Sequence, residues 1–316
     1  MQPTESLSRD TVAVADTLAA MIKREQLTTS WQEGGYLNPS DPTIVTADDR
    51  KKLVNWCYLC VDHCRLSRET VASAMEMVDR FLSTASTSIR NSANADADAV
   101  RAVCMYVEEA LRDQSILQLL TVTALYVAIK INERDVLSSD LFSEMCSGSY
   151  STKEIEDTER VLLCGLSWRC HTPTAHQVGL SILSLMLPNV DIPEDTWEYL
   201  MDEMKYSMEH AVLDYYFSTQ RTSTIALAAI YNAIGGIRSK RHQELLRAYL
   251  NMIVECFDFD HSKQISAVRR KLESLLIHEE DVDESDLDED HLGLDDSMKE
   301  TLETSSRSSQ DIITRI

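Results

Sequence analysis

The sequence predicts an all-α fold, and three observations carry that prediction. Apolar residues recur at helical spacing along almost the whole chain, whereas the alternation typical of β-strands is scarce. Only 8 glycines and 6 prolines occur, and most of them lie between the periodic segments. Apolar residues make up 44% of the 316-residue chain, which is enough for a substantial core in about two domains.

Helical periodicity divides the chain into segments, several of which begin at a residue that can cap a helix. A cap is expected where a side-chain oxygen can accept a hydrogen bond from a free backbone N–H. The candidate N-caps are Thr46, Ser67, Ser138, Ser151 and Thr174. The predicted helices span about 9–26, 47–64, 68–82, 99–112, 115–131, 138–146, 152–165, 174–186, 194–217, 222–236, 240–257 and 261–277.

Similar stretches of sequence indicate an internal repeat. Residues 123–130 align with 228–235, and both stretches are apolar on nearly every face, which is typical of a helix surrounded by others. Two shorter matches follow in the same order, 78–83 with 213–218 and 151–155 with 261–265. Together these matches predict two copies of a helical unit of about 100 residues.

The first copy contains an additional segment near 84–113, because the spacing between the copies changes across it. This insertion begins with polar, low-complexity sequence and ends with an amphipathic helix. The apolar residues of that helix share one stripe: Val100, Val103, Cys104, Val107 and Leu111. We interpret it as a helix that packs on its own domain, the alternative being a helix that docks a partner.

The net charge of −22 weighs against nucleic-acid binding, because neutralising phosphates requires clustered positive charge. Half of that charge lies between Glu279 and Asp296, a stretch that contains no Lys or Arg. Such a block repels itself and buries little apolar surface, so we predict a disordered acidic tail over 279–316.

The eight cysteines predict neither a disulfide scaffold nor a metal site. Cys57, Cys60 and Cys64, together with His63, form the cluster that most resembles a zinc site. The three cysteines share one face of a single helix, which cannot easily surround a tetrahedral ion, so we expect no metal and no cofactor. They are expected to act as small apolar residues.

Neither a membrane span nor a secretory signal is predicted. No stretch reaches the roughly 18 uninterrupted apolar residues that a span requires, and residues 1–10 are polar. We therefore expect a soluble intracellular protein of the nucleus, the cytoplasm or both, without a membrane partner.

Several motifs resemble the boxes of the cyclin family. Residues 50–56 (RKKLVNW) are similar to the family's first box helix, and 77–82 (MVDRFL) complete that signature. Residues 117–130 are similar to the third box helix, and 156–163 are similar to the fifth. The resemblance covers about 9–277 and agrees with the internal repeat.

The resemblance implies tandem five-helix cyclin boxes. The expected organisation is an N-terminal helix and linker over 1–46, an N-terminal box over 47–173 and a C-terminal box over 174–278. The insertion at about 84–113 would interrupt the first box, and the acidic tail over 279–316 would follow the second.

The resemblance also implies a function, that of a regulatory subunit that binds and activates a cyclin-dependent serine/threonine kinase in cell-cycle control. Lys130 and Glu159 would form the central kinase-binding pair. The repeat alignment places Gly235 and Arg269 at these positions in the second copy, so packing alone does not require the charged pair. The implied apolar contacts to the kinase are Val127, Ile131, Leu163 and Trp168.

Simpler explanations exist for the two charges. A lysine is favoured at the C-terminal end of any helix, because its charge complements the helix dipole. Glu159 could equally be a surface acid paired with Lys153 or Arg160. We favour the functional interpretation, because a lysine within such an apolar run is rarely without a role.

The family's substrate-docking patch is degraded in this chain. The resemblance leaves Arg50, Leu53 and Trp56 as its recognisable residues. Three positions that are apolar in the family hold Asp49, Lys51 and Lys52. We therefore expect weak docking of the Arg-x-Leu motifs of kinase substrates or inhibitors.

Other classes of function are less well supported by the sequence. An enzyme is disfavoured, because the chain has no phosphate-binding glycine-rich loop, no His-Glu-x-x-His and no Gly-x-Ser-x-Gly motif. A cyclin-fold transcription-associated or adaptor protein that acts through protein contacts remains the alternative.

Overall fold

A computed structural model describes residues 9–28, 35–37, 44–84, 97–134, 138–146, 148–257, 259 and 262–280. Within these ranges every regular element is a helix, which confirms the all-α prediction. The helices are α1 (Arg9–Thr28), α2 (Ala47–His63), α3 (Glu69–Thr84), α4 (Ala97–Ala110), α5 (Gln114–Asn132), α6 (Ser139–Met145), α7 (Thr152–Gly165), α8 (Ala175–Met186), α9 (Glu194–Leu213), α10 (Tyr215–Ser218), α11 (Thr222–Gly236), α12 (Lys240–Cys256) and α13 (Ser262–Glu280).

Three of the predicted N-caps are confirmed. Thr46 accepts a hydrogen bond from the backbone of Asp49, whose carboxylate accepts one in return, so α2 begins with a capping box. Ser151 and Glu154 form the same arrangement at the start of α7. Thr174 caps α8 by accepting a hydrogen bond from the backbone of Gln177.

The chain folds into two compact units. The first unit contains residues 31–171 and 212–219, and it holds α2 to α7 and α10. The second unit contains residues 1–30, 172–211 and 220–283. The N-terminal helix α1 therefore belongs to the compact unit that holds the second repeat.

Helix α5 lies at the centre of the first unit. Its residues from Leu119 to Ile129 are all buried, and α2, α3, α4 and α7 pack around it. By length and composition alone α5 could cross a membrane, but 67% of its apolar window is buried within the protein. This burial is typical of a core helix, and it explains why the sequence is apolar on nearly every face.

The insertion contributes helix α4 to the first unit. Val103, Val107 and Ala110 are buried where α4 packs against α5 and α7. The backbone N–H of Val45 also donates a hydrogen bond of 2.8 Å to the carbonyl of Leu111, just beyond the helix. This packing agrees with a helix that supports its own domain, while residues 85–96 of the insertion lie outside the described residues.

The single helix predicted over 194–217 is wrong in one respect, because it ends at Leu213. Asp214 is extended, and its side chain accepts a hydrogen bond from the backbone of Tyr216, which starts the short helix α10. Residues 212–219 belong to the first unit. The sequence match between 78–83 and 213–218 therefore joins segments of different structure.

The second unit is built around α11, against which α8, α12 and α13 pack. Helix α1 packs against α8, and it places the carboxylate of Glu25 at the start of α11. The residue that precedes α11, Arg221, makes no side-chain capping bond. Glu25 accepts hydrogen bonds from the backbone N–H of Ser223 at 2.7 Å and from its hydroxyl at 2.6 Å. One helix thus supplies the N-terminal cap of another.

The acidic tail predicted over 279–316 lies outside the described residues from position 281 onward. Glu279 and Glu280, the first two residues of that prediction, form the end of α13.

Candidate functional site

Lys130 and Glu159 meet at the surface of the first unit. Lys130 lies in the last turn of α5, and Glu159 lies near the middle of α7, which packs along α5. The Lys130 Nζ donates a hydrogen bond to the Glu159 carboxylate and forms an ion pair with it. The two side chains remain 28% and 18% exposed, so the pair is held in place while staying accessible.

The geometry decides which partner Glu159 takes. Of the two cations that the sequence offered nearby, Arg160 forms its ion pair with Asp157 at 2.9 Å. Lys153 lies on the same helix and is exposed. Glu159 instead pairs with Lys130, so the two residues that the sequence singled out form one ion pair.

Tyr126 lies directly beneath the lysine. The Lys130 Nζ is 4.2 Å from the centroid of the Tyr126 ring, which is a cation–π contact. Tyr126 precedes Lys130 by four residues, so one helical turn brings the two side chains together. From the sequence, Tyr126 is only one member of the apolar stretch 123–130. The available signal was the repeat, in which Tyr231 aligns with Tyr126.

The four predicted apolar contact residues differ in exposure. Trp168 is 73% exposed, and Ile131, the residue after Lys130, is 41% exposed, so both offer apolar surface. Leu163 is half-buried. Val127 is only 2% exposed and packs in the core, so in this structure it has almost no area to offer a partner.

The end of α7 explains why Trp168 is exposed. Ser167 donates a backbone hydrogen bond to Cys164, and Trp168 donates one to Leu163, which together form a Schellman motif. Ser167 and Trp168 both have positive φ angles, 51° and 61°. These left-handed conformations turn the chain away from the helix axis and leave the indole in solvent.

Arg50, predicted to belong to the substrate-docking patch, is buried instead. Its Nε and Nη2 donate hydrogen bonds of 2.9 and 2.7 Å to the two carboxylate oxygens of Asp79, and Nη1 donates to the carbonyl of Val212 at 2.7 Å. Burial disfavours the charged guanidinium, but the charge of Asp79 outweighs this effect and keeps the pKa of Arg50 above its ordinary value. With 4% exposure Arg50 has a structural role, which argues against a surface role in docking.

Tyr36 completes this buried cluster. Its hydroxyl donates a hydrogen bond of 2.8 Å to Asp79, and burial together with the charge of Asp79 raises the pKa of Tyr36. The hydroxyl of Tyr215 accepts hydrogen bonds from the backbone of Tyr36 and Leu37. The cluster therefore joins four separate segments of the first unit: residues 36–37, α2, α3 and residues 212–215.

The remaining residues of the predicted patch offer little apolar surface. Trp56 is 3% exposed and Leu53 is half-buried. Asp49 is occupied by its capping box, and it also accepts a hydrogen bond of 2.9 Å from the side chain of Gln114. Lys52 pairs with Asp48 at 2.9 Å, and Lys51 is exposed.

A fourth cysteine, which the sequence could not predict, lies near Cys57, Cys60 and Cys64. Cys146, just beyond α6, lies close enough to influence the ionisation of Cys57 and Cys60. Burial raises the pKa of Cys146 to about 12 and also raises those of the other three thiols. The thiols are therefore protonated near neutral pH. Among the described residues no group of three or more His, Cys, Asp or Glu side chains is arranged to hold a metal ion.

The second unit holds a related but different arrangement. The guanidinium of Arg269 lies 5.3 Å from the centroid of the Tyr231 ring, and its Nε donates a hydrogen bond of 2.9 Å to Asn232. A cavity of about 310 Å³ lies beside these residues and is also lined by Phe259 and Ile265. The second unit therefore keeps the tyrosine and a cation but not the Lys–Glu pair.

Within the described residues the fold is all-helical, and its first unit carries a preformed, partly exposed ion pair. Residues 16–171 match the family model described as the N-terminal domain of cyclins. The chain belongs to the cyclin family.

Individual relatives support this assignment. A putative cyclin-A3-1 of Arabidopsis thaliana is 24% identical over 73% of this chain and 59% of its own length. A G2/mitotic-specific cyclin-B of Emericella nidulans is 31% identical over 57% of this chain and 31% of its own length. The chain thus spans less than two thirds of the length of these two relatives.

A solved structure shows the same fold. The X-ray structure of a viral cyclin from herpesvirus saimiri is similar with a TM-score of 0.55 and 15% sequence identity. The similarity covers 82% of this chain and 95% of the viral protein.

Proposed function

We propose that this chain binds and activates a cyclin-dependent serine/threonine protein kinase through the surface around Lys130 and Glu159. The observation that carries the proposal is the asymmetry between the repeats. In the first unit the two charges are paired at a partly exposed position, whereas the aligned positions of the second unit hold Gly235 and Arg269. Packing of the repeat does not require the pair, so binding is the better explanation for it.

The chemistry of the surface suits a protein partner. The Lys130 ammonium carries further N–H donors and the Glu159 carboxylate further lone pairs, so the pair can both donate to and accept from a partner's backbone. Trp168 and Ile131 supply exposed apolar area on the same unit. In such an interface the apolar anchors carry most of the affinity, and the charges fix the orientation.

Activation would be conformational. As in the family that the chain resembles, docking would move a mobile helix of the kinase inward and complete the kinase's own Lys–Glu pair. The chain would perform no chemistry, and its effect would come from binding the active state of the kinase more tightly than the inactive state. We propose that this takes place in the nucleus, the cytoplasm or both, during the cell cycle.

Substrate recognition would differ from that of relatives with an apolar docking patch. Lys51 and Lys52 would bring positive charge near the arginine of an incoming Arg-x-Leu motif if their side chains face the groove, and like charges disfavour docking. The carboxylate of Asp49, which could attract that arginine, is already engaged by Thr46 and Gln114. We propose that substrates and inhibitors with this motif bind weakly.

The double variant Lys130→Ala with Glu159→Ala tests the proposed function. Loss of a desolvated charged contact costs about 2–5 kcal/mol of binding free energy, which corresponds to a loss of affinity of roughly 30-fold or more. The kinase that co-purifies with the wild-type chain would be identified by mass spectrometry and titrated against both proteins, and its activity would be measured.

Lys153→Ala is a matched control, because Lys153 is exposed on the same helix and lies outside the proposed surface. The control should bind the kinase like the wild type, and circular dichroism should show that all three proteins keep their helicity. Unchanged kinase binding by a folded double variant would overturn the proposal. Purification of other protein partners without any kinase would favour the adaptor alternative.

A further inference from the structure

Tyr126 contacts the Lys130 ammonium, and the proposed function does not use this contact. The face of an aromatic ring attracts a cation, and the attraction grows when the contact is shielded from water. Tyr126 is 6% exposed, and the ammonium lies 4.2 Å from its centroid. The lysine therefore has two contacts, the ring below it and Glu159 beside it.

The ring is itself held firmly. Tyr126 packs against Phe142 of α6 with a centroid distance of 5.0 Å and an angle of 33° between the ring planes. Phe142 is 1% exposed, so it belongs to the core of the first unit. Because the ring is packed in this way, it offers a single fixed position to the cation above it.

The second unit provides an internal comparison. Tyr231 occupies the aligned position, and a cation again lies over its ring, although this cation is Arg269 of α13. The helix position that holds Lys130 in the first unit holds Gly235 in the second. In both units a cationic side chain lies over the tyrosine ring, although it comes from a different helix in each unit. This indicates that the ring is kept because it binds the cation.

We propose that Tyr126 is a positioning residue for kinase binding, a proposal that rests on the function proposed above. A lysine side chain has four flexible torsions, and fixing them on binding reduces affinity. Tyr126 and Glu159 fix the ammonium before a partner arrives, so part of that ordering is already complete in the free protein. Tyr126 acts through Lys130 and makes no contact with the kinase.

The test changes the ring without emptying the core. Tyr126→Phe keeps the aromatic ring, and Tyr126→Leu removes it. Tyr126→pentafluorophenylalanine keeps the shape of the ring but makes its face repel a cation instead of attracting it. We expect the leucine and the fluorinated proteins to bind the co-purifying kinase about 3- to 10-fold more weakly. Tyr126→Phe should restore most of the wild-type affinity.

Two further measurements separate positioning from a merely structural effect. In a Lys130→Met background the substitutions at position 126 should have no further effect on kinase affinity, because the residue they act through is gone. In the free protein, carbon-13 relaxation of the Lys130 Cε should show a more mobile side chain with leucine or the fluorinated ring. Tyr231→Leu is the matched control, since it removes the aligned ring from the second unit and should leave kinase affinity unchanged.

The outcomes distinguish this inference from the proposed function. If Lys130→Met does not weaken kinase binding, the proposed function fails. The relaxation of the Lys130 Cε still tests whether Tyr126 restricts the motion of the lysine side chain. If Lys130→Met weakens binding but the fluorinated ring changes neither affinity nor Cε mobility, the role of Tyr126 is refuted. A loss of affinity in Tyr126→Leu that persists in the Lys130→Met background would also refute it.

Discussion

Replacing Glu25 by alanine tests how α1 is held against α11 within the second unit. The carboxylate is 5% exposed and accepts hydrogen bonds from the backbone N–H and the hydroxyl of Ser223 and, at 2.7 Å, from the hydroxyl of Thr222. Helix α11 depends on this acceptor, because Arg221 at its N-cap supplies none. The substitution therefore removes a helix cap and a contact between helices at once.

The magnitude follows from the burial of Ser223. Ser223 is 2% exposed, so its backbone N–H and its hydroxyl lose their acceptor without gaining water. Each buried donor left unsatisfied costs about 1–3 kcal/mol, and removing an anion from a helix N-terminus costs about 0.3–1 kcal/mol. We expect Glu25→Ala to lower the free energy of unfolding by roughly 2–7 kcal/mol. Glu25→Gln, which keeps one acceptor oxygen, should cost less.

Denaturant unfolding followed by circular dichroism measures this change, and hydrogen exchange locates it. The amides of α1 and of the first turn of α11 should lose protection in Glu25→Ala. Lys23→Ala is the control on the same helix, because Lys23 is exposed and the substitution should stay within about 0.5 kcal/mol of the wild type. An effect of Glu25→Ala below about 1 kcal/mol, with unchanged exchange, would refute the capping argument.

Three further predictions concern the first unit and the tail. Gly165→Ala should lower the free energy of unfolding by about 1–3 kcal/mol, because its new Cβ would lie 2.4 Å from the ring of the fully buried Phe81; a thermal melt like that of the wild type would contradict this. Hydrogen bonds from Ser151 lower the pKa of Glu154 below its ordinary value of 4.5, so the cap stabilises the fold fully above that pH and is lost as the pH falls through the lowered pKa. The difference in unfolding free energy between wild type and Glu154→Gln should therefore shrink in acid, and a constant difference would show that the carboxylate does not act through its charge. Deleting residues 281–316 should leave the melting temperature and kinase binding unchanged, because so acidic a segment has little apolar surface to bury, and a drop in either would show that the tail is docked.

The helices could be predicted because their apolar spacing repeats along the chain. Helices α7 and α11 begin and end at the predicted residues. Periodicity could not show the break at Asp214, since apolar residues continue on both sides of it. That break depends on a side chain that accepts a local hydrogen bond in place of the helix.

The candidate site could be predicted only in part. The resemblance to the cyclin family implied Lys130 and Glu159, the second repeat holds other residues at the aligned positions, and the structure brings the two side chains together. The burial of Arg50 could not be predicted, because its partner Asp79 lies on another helix and the pairing depends on tertiary packing. Tyr126 was missed for a similar reason, since a tyrosine in an apolar run looks like core until the cation above it is seen.

The left-handed end of α7 means that one substitution can raise the stability of the fold while weakening the proposed kinase binding. Ser167 occupies the position at which a Schellman motif favours glycine, and a non-glycine residue there carries about 1 kcal/mol of strain. Glycine at 167 would relieve that strain but would also widen the range of backbone angles that direct Trp168. A selection for thermal stability alone would therefore accept glycine at this position, whereas a selection for binding would keep the serine.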